Sequence, residues 1–432
     1  MSERSRGPLR RGSWRRPAVA AASLLAAIAC GGSPGVTTQA ATGPAIRIGV
    51  LVDSGTSSAI EGAEMRTNTD LAIGQINASG GIRGHRLETV YVDPRGDAAQ
   101  AVTMAQQLVQ QQNADVLVGG IFSPECLGIQ NLAPRLQVVY MASTGCLSED
   151  FSARQCNRYS FRVTPAGRQG VIPLSQYIVT AYGKRWAIVY SDYAYGQSQV
   201  NAYTAGLQAA GGELATKIPI PLNETNVNPY ITRIPTDGSV SGVINTQAGA
   251  DVLRSLQSMQ QFGIDRKMPV VGVFGKERWA GVYPDVVNGS LAVTNALSDS
   301  PSDNRYDLDY HRAFRAQLAK EDSSVQNTLG GPLRAVPGIS GYQGYTTITS
   351  LKLAMIASGF TGRKDTDKLI AALQGLKAPE GPDFPGGSFA MSGADHQGTM
   401  TSYIARINGQ KEEVVSTIPP DRTPPIGSCQ VR

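Results

Sequence analysis

The feature that most constrains this chain is a repeated alternation of short apolar runs and helical patterns. Residues 46–52 form a β-branched run with the length of a buried parallel strand. A helical pattern follows over 67–77, then a second strand at 87–92 and a helix that Asp97 can cap. Repeated strand–helix units pack as parallel sheets with helices on both faces.

The alternation occurs twice along the 432 residues, and the chain is 41% hydrophobic, which is enough for two cores. Further elements are predicted as strands at 115–118, 138–141, 185–190, 241–245, 269–273, 291–294, 402–407 and 413–416, and as helices near 125–136, 196–210, 251–262, 306–320, 342–358 and 366–376. The predicted fold is therefore α/β, with two doubly wound parallel-sheet lobes.

Ligands of open α/β sheets bind beyond the carboxyl ends of the strands. The loops that follow the strands are therefore the predicted location of the functional site. They span residues 53–58, 119–125, 142–146, 191–196, 246–249 and 274–279.

The N-terminus has the pattern of an export signal over residues 1–29. Six Arg and Glu3 precede an apolar run at 18–29, which is too short to span a bilayer and typical of a signal peptide. Cys30 follows Ala29 and precedes Gly31-Gly32-Ser33, a pattern that resembles a bacterial lipobox, although Ala27 stands where Leu is usual. We expect lipidation at Cys30 and a flexible tether over 30–44, with ordinary cleavage near Ala40-Ala41 as the alternative.

Charge and motifs exclude several classes of function. Beyond residue 29 the chain carries equal numbers of basic and acidic residues, so no basic field is available for nucleic acid. The three His residues are far apart and CxxC spacing is absent, which argues against a metal site. The chain has no GxSxG motif, and its Gly-rich segment at 80–84 follows a helix. We expect neither an enzyme nor a cofactor.

Several segments taken together resemble the type I periplasmic binding proteins of the leucine/isoleucine/valine-binding kind, which supply ABC importers. These segments are IRIGVLVDSGTSS, INASGGIRGHRLETVYVDPRGDAAQAVTMAQQLV, DVLVGG followed by Ser123, NRYSFRVTP, RWAIVYSDYAYGQS and GSFAMSGADHQGTMTSYIARINGQK. Each motif is weak alone, but their order and spacing over residues 45–411 are specific.

The resemblance implies that the chain crosses three times between the lobes, near 162–166, 291–295 and 384–390. Lobe 1 would comprise 45–163 and 293–385, and lobe 2 would comprise 164–292 and 386–416, before a Pro-rich tail at 417–432. The lobes would close on a ligand by hinge motion.

The implied function is that of an exported, lipid-anchored, monomeric solute-binding protein on the outer face of the cytoplasmic membrane or in the periplasm. It would capture a small polar solute, either amino-acid-like, amide-like or carboxylate-bearing, and would deliver it to an ABC permease and its ATPase. The alternative is a ligand-sensing subunit of the same fold that signals through a partner protein.

The resemblance also assigns ligand contacts in lobe 1. Ser123 matches the family's serine that binds a ligand carboxylate, although Ser is equally suited to cap a helix. Thr144, Gly145 and Cys146 lie where the family grips the ligand, and Cys146 takes the place of a hydroxyl residue. Asp53 and Ser54 end the first strand and are further candidates.

In lobe 2, Tyr195 matches the family's tyrosine that covers the ligand. Phe274 stands where the family has an acid for the ligand's ammonium, and Gln247 lies beside Ala248, which replaces an aromatic residue. We therefore expect that the ligand is not a branched-chain amino acid, unless Glu277 restores the acid.

An exported chain with four cysteines besides Cys30 permits disulfides in three connectivities. The nine-residue gap between Cys146 and Cys156 is easily bridged, and we predict that pair. Cys126 and Cys429 are left as the residual pair.

Overall fold

The first lobe is built on a five-stranded parallel sheet. The computed structural model describes residues 41–55, 58–272, 284–296, 305–333, 335–409, 411–423, 426 and 429. Within them the strands run in the order β2-β1-β3-β4-β5. Their bounds are β1 Gly43–Leu51, β2 His85–Val92, β3 Val116–Gly119, β4 Val139–Ala142 and β5 Ser160–Arg162.

The second lobe is built on a seven-stranded sheet of order β15-β14-β10-β9-β8-β6-β7. Its first five strands along the chain are parallel, and β14 and β15 add an antiparallel hairpin at one edge. The bounds are β6 Arg185–Ser191, β7 Glu213–Ile220, β8 Gly242–Thr246, β9 Val270–Val271, β10 Leu291–Thr294, β14 Ser402–Asn408 and β15 Lys411–Ile418.

Helices connect and cover the strands. They are α1 Ala59–Ala78, α2 Ala98–Gln110, α3 Ser123–Leu136, α4 Gly167–Tyr182, α5 Ala194–Ala209, α6 Asn228–Ile231, α7 Ala250–Gln261, α8 Pro284–Val287, α9 Arg305–Leu318, α10 Ser323–Thr328, α11 Ile339–Ser358 and α12 Thr366–Leu373. Asp97 caps α2 as expected, since its Oδ1 accepts from the N–H of Gln100 at 2.9 Å. Within the described residues, no helix combines the length and apolar composition that crossing a bilayer requires.

Each sheet is buried on both faces. Along β1, Ile46, Ile48 and Val50 pack into one core with α1, α9 and α11, whereas Leu51 packs with α2 and α3 on the other face. The second sheet likewise separates two apolar clusters. Burial on both faces explains why the strands read as continuous apolar runs, and it confirms the predicted fold class.

The chain makes the last of its three predicted crossings between the lobes later in the sequence than residue 386. A small antiparallel sheet is formed by β11 Lys377–Ala378, β12 Phe389–Met391 and β13 Gly398–Met400. The inward side chains of β12 and β13 pack in the core of the first lobe, and the Phe389 ring stacks on Phe384 with centroids 5.4 Å apart. The segment 386–400, which the sequence analysis assigns to lobe 2, therefore packs with lobe 1 because of these apolar side chains.

The described residues of the C-terminus are attached to the body of the protein. Residues up to Ile418 belong to β15, and both Ile426 and Cys429 are buried. A disulfide joins Cys429 to Cys156. The predicted tail at 417–432 is thus attached to the body of the protein at two described points.

The predicted disulfide between Cys146 and Cys156 is wrong. Cys146 instead bonds to Cys126, and Cys156 bonds to Cys429, with Cα–Cα distances of 5.9 Å and 6.2 Å. The loop after β4 folds back against the first turns of α3, which brings Cys146 to Cys126. Closeness along the chain was therefore a poor guide, because the helix packing decides which thiols meet.

We expect disulfide mapping to recover these two pairs. Proteolysis without reductant, followed by mass spectrometry, should give linked peptides for Cys126–Cys146 and Cys156–Cys429. A linked peptide that contains Cys146 and Cys156 would contradict the structure. A reduced and alkylated sample is the control, because both linked species should disappear from it.

Candidate ligand-binding site

A pocket lies between the two lobes, beyond the carboxyl ends of the strands. It holds about 970 Å³ of space not filled by atoms, open solvent at its mouth included. Loops from both sheets line it, together with the first turns of α1 and α11. Its lining residues are Ser58, Glu61, Ile121, Phe122, Ser123, Thr144, Gly145, Cys146, Leu147, Thr164, Pro165, Ala166, Gly167, Gly170, Tyr193, Tyr195, Gln247, Ala248, Gly249, Val252, Val293, Asn295, Ile339, Ser340, Gln343 and Ser402.

Ser123 lies at the pocket wall as the first residue of α3. The helix cap is Phe122 rather than Ser123, and the orphan N–H groups of Ile121 and Phe122 donate to the Glu125 carboxyl at 3.2 Å and 3.1 Å. The Ser123 Oγ accepts from the N–H of Ser148 at 3.2 Å. Because Glu125 has taken over the capping, the Ser123 hydroxyl proton can be donated to a ligand.

The loop after β4 adds backbone donors next to Ser123. Gly145 and Cys146 have φ values of +62° and +52°, a left-handed turn that directs successive N–H groups to one side. The N–H of Cys146 donates to Ile121 at 3.0 Å. Those of Gly145 and Leu147 have no hydrogen bond within the described residues, and both residues line the pocket. This wall of the pocket is therefore rich in neutral donors.

A buried arginine holds this loop from behind. Arg162 is 0% exposed, and its Nη1 donates to the carbonyls of Cys146 and Ser148 at 2.6 Å and 2.5 Å. Its Nε donates to Gln397 at 2.6 Å and its Nη2 to Ser152 at 3.3 Å. Desolvation lowers the pKa of Arg162 to about 9, so the guanidinium is still charged at neutral pH.

Aromatic rings from both lobes form another part of the wall. Tyr193 and Tyr195 follow β6, with ring centroids 5.7 Å apart. Phe122 approaches Tyr193 edge-on from the first lobe at 6.3 Å. Such rings provide a large apolar surface with little side-chain entropy to lose. Tyr195, one of the predicted ligand contacts, lines the pocket, as do Phe122 and Tyr193, which were not among the predicted contacts.

Two buried side chains of the wall each have a polar atom without a hydrogen-bond partner among the described residues. Gln247 is 0% exposed, and its Oε1 accepts from Ser255, but its Nε2 makes no hydrogen bond within the described part of the chain. The buried hydroxyl of Thr164 likewise makes no hydrogen bond within the described part of the chain. An unsatisfied buried donor costs about 1–3 kcal/mol, so a ligand that bonds to it gains affinity.

The other predicted contact residues are distributed as follows. Thr144 lines the pocket, and its hydroxyl donates to Gln343 at 3.1 Å. Asp53 and Ser54 do not line it: Asp53 is buried behind α3, and the Ser54 hydroxyl donates to Asp93 at 2.5 Å. Phe274 lies outside the described residues.

Asp53 instead forms a buried acid pair with Glu125. Its Oδ1 accepts from the N–H of Gly96 at 2.6 Å, and the two carboxyl groups interact with each other. Burial is the main cause that raises the pKa of Asp53 to about 6. Burial, followed by the Asp53 charge, raises the pKa of Glu125 to about 8. The pair therefore holds about one proton at neutral pH, next to the ligand wall.

The pocket is nearly neutral within the described residues. Glu61, at the start of α1, is the one charged side chain among the described lining residues. Among the same residues, no group of three or more His, Cys, Asp or Glu is placed to hold a metal ion. The pocket thus has the apolar walls and few convergent polar groups of a small-molecule binding site.

Comparison with known proteins agrees with this geometry. The chain matches the periplasmic binding protein family over residues 45–412. It is 22% identical to a Leu/Ile/Val-binding protein homolog of Brucella melitensis, with 80% of this chain and 85% of that one aligned.

Two solved structures share the fold. An ABC transporter substrate-binding protein from Sphaerobacter thermophilus has a TM-score of 0.76 at 21% identity, over 88% of this chain and 99% of that one. A solute binding protein of an ABC transporter from Rhodopseudomonas palustris, in complex with 3,4-dihydroxybenzoic acid, also has a TM-score of 0.76, at 19% identity and the same coverage. The family match spans most of the sequence and confirms the resemblance: the chain belongs to the periplasmic binding protein family.

Proposed function

We propose that this protein captures a small carboxylic acid with an apolar or aromatic body between its two lobes and delivers it to an ABC permease. The observation that carries the proposal is the pocket itself, with neutral donors on one wall, aromatic rings beside them and, on the second lobe, a donor without a partner among the described residues.

The carboxylate end is assigned to the first lobe. The Ser123 hydroxyl and the N–H groups of Gly145 and Leu147 surround this side of the pocket. Charge-assisted hydrogen bonds to neutral donors hold an anion without a cationic partner, and the start of α3 adds favourable dipoles.

The body and far end of the ligand are assigned to the second lobe and the rings. Tyr193, Tyr195 and Phe122 suit a planar apolar body. Gln247 Nε2 suits an acceptor at the far end of the ligand, such as a hydroxyl or carbonyl oxygen. Two structural neighbours from Rhodopseudomonas palustris were solved with aromatic acids, one with benzoate and the other with 4-hydroxybenzoate, and the latter carries such a far-end oxygen.

An aliphatic α-amino acid fits this pocket less well. Its ammonium would need an acceptor near the carboxylate, and Glu61 is the one acid among the described lining residues. Desolvating an ammonium without a paired acceptor costs several kcal/mol. We therefore keep the expectation that leucine, isoleucine and valine are not the ligands.

Export, anchoring through Cys30 and a monomeric state are part of the same proposal. The family membership supports an extracytoplasmic location, and the lipobox-like sequence around Cys30 supports a lipid anchor. The permease and its ATPase are the proposed partners.

Calorimetric titration should distinguish these ligand classes. We expect benzoate or 4-hydroxybenzoate to bind with micromolar or tighter affinity, and leucine, isoleucine and valine to show no measurable heat. Tight binding of a branched-chain amino acid, with none of the aromatic acids, would contradict the proposal.

Two variants locate the ligand in the pocket. Ser123→Ala should weaken the binding of the aromatic acid roughly 10- to 100-fold, the effect of losing one hydrogen bond of about 1.5–3 kcal/mol to a charged group. Gln247→Leu should abolish any preference for 4-hydroxybenzoate over benzoate. Ser54→Ala is the matched control, since this exposed serine lies outside the pocket and should leave affinity unchanged.

A further inference from the structure

We infer that the C-terminal segment is a covalent strap that limits how far the two lobes open. The inference concerns the motion of the lobes and does not depend on which solute is bound. It rests on the path of the chain after β15, on the disulfide at its end and on the contacts at the same edge of the cleft.

The chain passes from the second lobe to the first after its last strand. Ile418 ends β15 and packs in an apolar cluster of the second lobe. Cys429 bonds to Cys156, which belongs to the loop that precedes β5. That loop is fixed to the first lobe, because the neighbouring Asn157 donates to the carbonyl of Gln130 in α3 at 3.0 Å. The disulfide therefore closes an additional connection between the lobes.

The strap is also seated on the second lobe shortly before it ends. Ile426 is buried, and its carbonyl accepts from the Arg168 Nη1 at 3.1 Å. Arg168 lies in the first turn of α4, whose apolar side chains pack in the second lobe. The same guanidinium reaches across the cleft to Glu149 of the first lobe, with Nε 3.4 Å from Oε1.

The short covalent path from Ile426 to Cys429 gives the strap its effect. Three residues span at most roughly 10 Å when fully extended. While Ile426 stays on α4, the cleft at this edge cannot open beyond that reach. Wider opening requires Ile426 to leave its buried position and Arg168 to lose its acceptor.

Direct contacts between the lobes lie at the same edge. The N–H of Glu149 donates to the Ser198 hydroxyl of α5 at 3.3 Å, and that hydroxyl lies 3.4 Å from the hydroxyl of Ser148. Ser148 is also the partner of Ser123 in the ligand wall. A strap at this position raises the effective concentration of the contacting groups for one another, and it therefore favours the closed arrangement of the lobes.

Small-angle X-ray scattering without ligand tests the strap. We expect the C156S/C429S variant to have a larger radius of gyration than the wild type, by about 1 Å on the ~22 Å of a compact chain of this length. Superimposable curves for the two proteins would overturn the inference. The C126S/C146S variant is the matched control, because it removes a disulfide that lies within the first lobe and should not change the radius of gyration.

A second variant keeps both disulfides, in case the first does not fold. A Gly/Ser insertion of roughly ten residues between Ile426 and Cys429 lengthens the strap without breaking it. It should increase the radius of gyration as far as the cysteine replacement does. If the inserted protein scatters like the wild type, the strap does not limit opening and the inference fails.

Discussion

Replacing Arg162 with Met should lower the free energy of unfolding by about 3–5 kcal/mol, the range expected when one partner of a buried charged network is removed. The side chain is 0% exposed. Met fills a similar volume, so the loss reports on hydrogen bonds rather than on a cavity. The same change should abolish ligand binding at concentrations that saturate the wild type.

The size of the effect follows from the buried acceptors that lose their donor when Arg162 is replaced. The carbonyls of Cys146 and Ser148 would lose their charged donor, as would Gln397 and Ser152. Each buried acceptor left unsatisfied costs about 1–3 kcal/mol. Gln397 also donates to the carbonyls of Thr164 and Gly398 at 2.9 Å and 2.7 Å, so the disturbance reaches the chain segment that enters the second lobe.

Urea unfolding at constant pH measures this effect. Arg154→Met is the matched control, because its side chain is 82% exposed and, within the described part of the chain, pairs only with Asp150 four residues away. A surface pair of this kind contributes less than about 1 kcal/mol. An Arg162→Met protein within 1 kcal/mol of the wild type would show that the buried network does not stabilise the fold.

The sequence could predict those parts of the fold that show in the local periodicity of apolar residues. The run that became β1 has β-branched residues toward one core, at Ile46, Ile48 and Val50, and Leu51 toward the other, and a short apolar run of this kind suits a buried parallel strand. Helix α4 was missed because Gly167, Gly170 and Pro173 interrupt its pattern. The close packing of Gly170 against Val293 of β10 explains the glycine, but this contact joins residues far apart in sequence.

The candidate site likewise contains residues that the sequence could identify and residues that depend on long-range contacts. The loops after the parallel strands were predicted as the location of the site because they converge at one edge of the sheet, and the family resemblance assigned Ser123, Thr144 and Tyr195 within them as ligand contacts. Phe122 could have been found by the same rule, since it lies in one of those loops. Arg162 could not, because it points away from the pocket, and its importance depends on carbonyls that folding brings to it. The disulfide partners depend equally on long-range packing.

Replacing Glu125 with Gln should make the protein more stable at pH 8 and leave it almost unchanged at pH 5. In the unfolded chain Glu125 and Asp53 release their protons near their ordinary values of 4.5 and 3.8. In the folded protein their pKa values are raised to about 8 and about 6, because burial penalises the charged carboxylates.

The sign of the pH effect follows from proton binding. Between about pH 4 and pH 8 the folded state holds more protons on this pair than the unfolded state does. The free energy of unfolding therefore falls as the pH rises through that window. Gln is neutral at every pH, and its amide can accept from the N–H groups of Ile121 and Phe122 while donating to Asp53. The variant should consequently lose this part of the pH dependence.

Urea unfolding of both proteins between pH 5 and pH 8 gives the comparison. We expect the variant to gain on the order of 3 kcal/mol relative to the wild type across that range, since one pKa unit corresponds to ~1.4 kcal/mol. Glu88→Gln is the control, because this carboxylate of β2 is half-exposed and lies 3.6 Å from Arg47. Parallel pH profiles for the wild type and Glu125→Gln would mean that Glu125 is ionised in the folded protein throughout this range, with Asp53 alone carrying the shared proton.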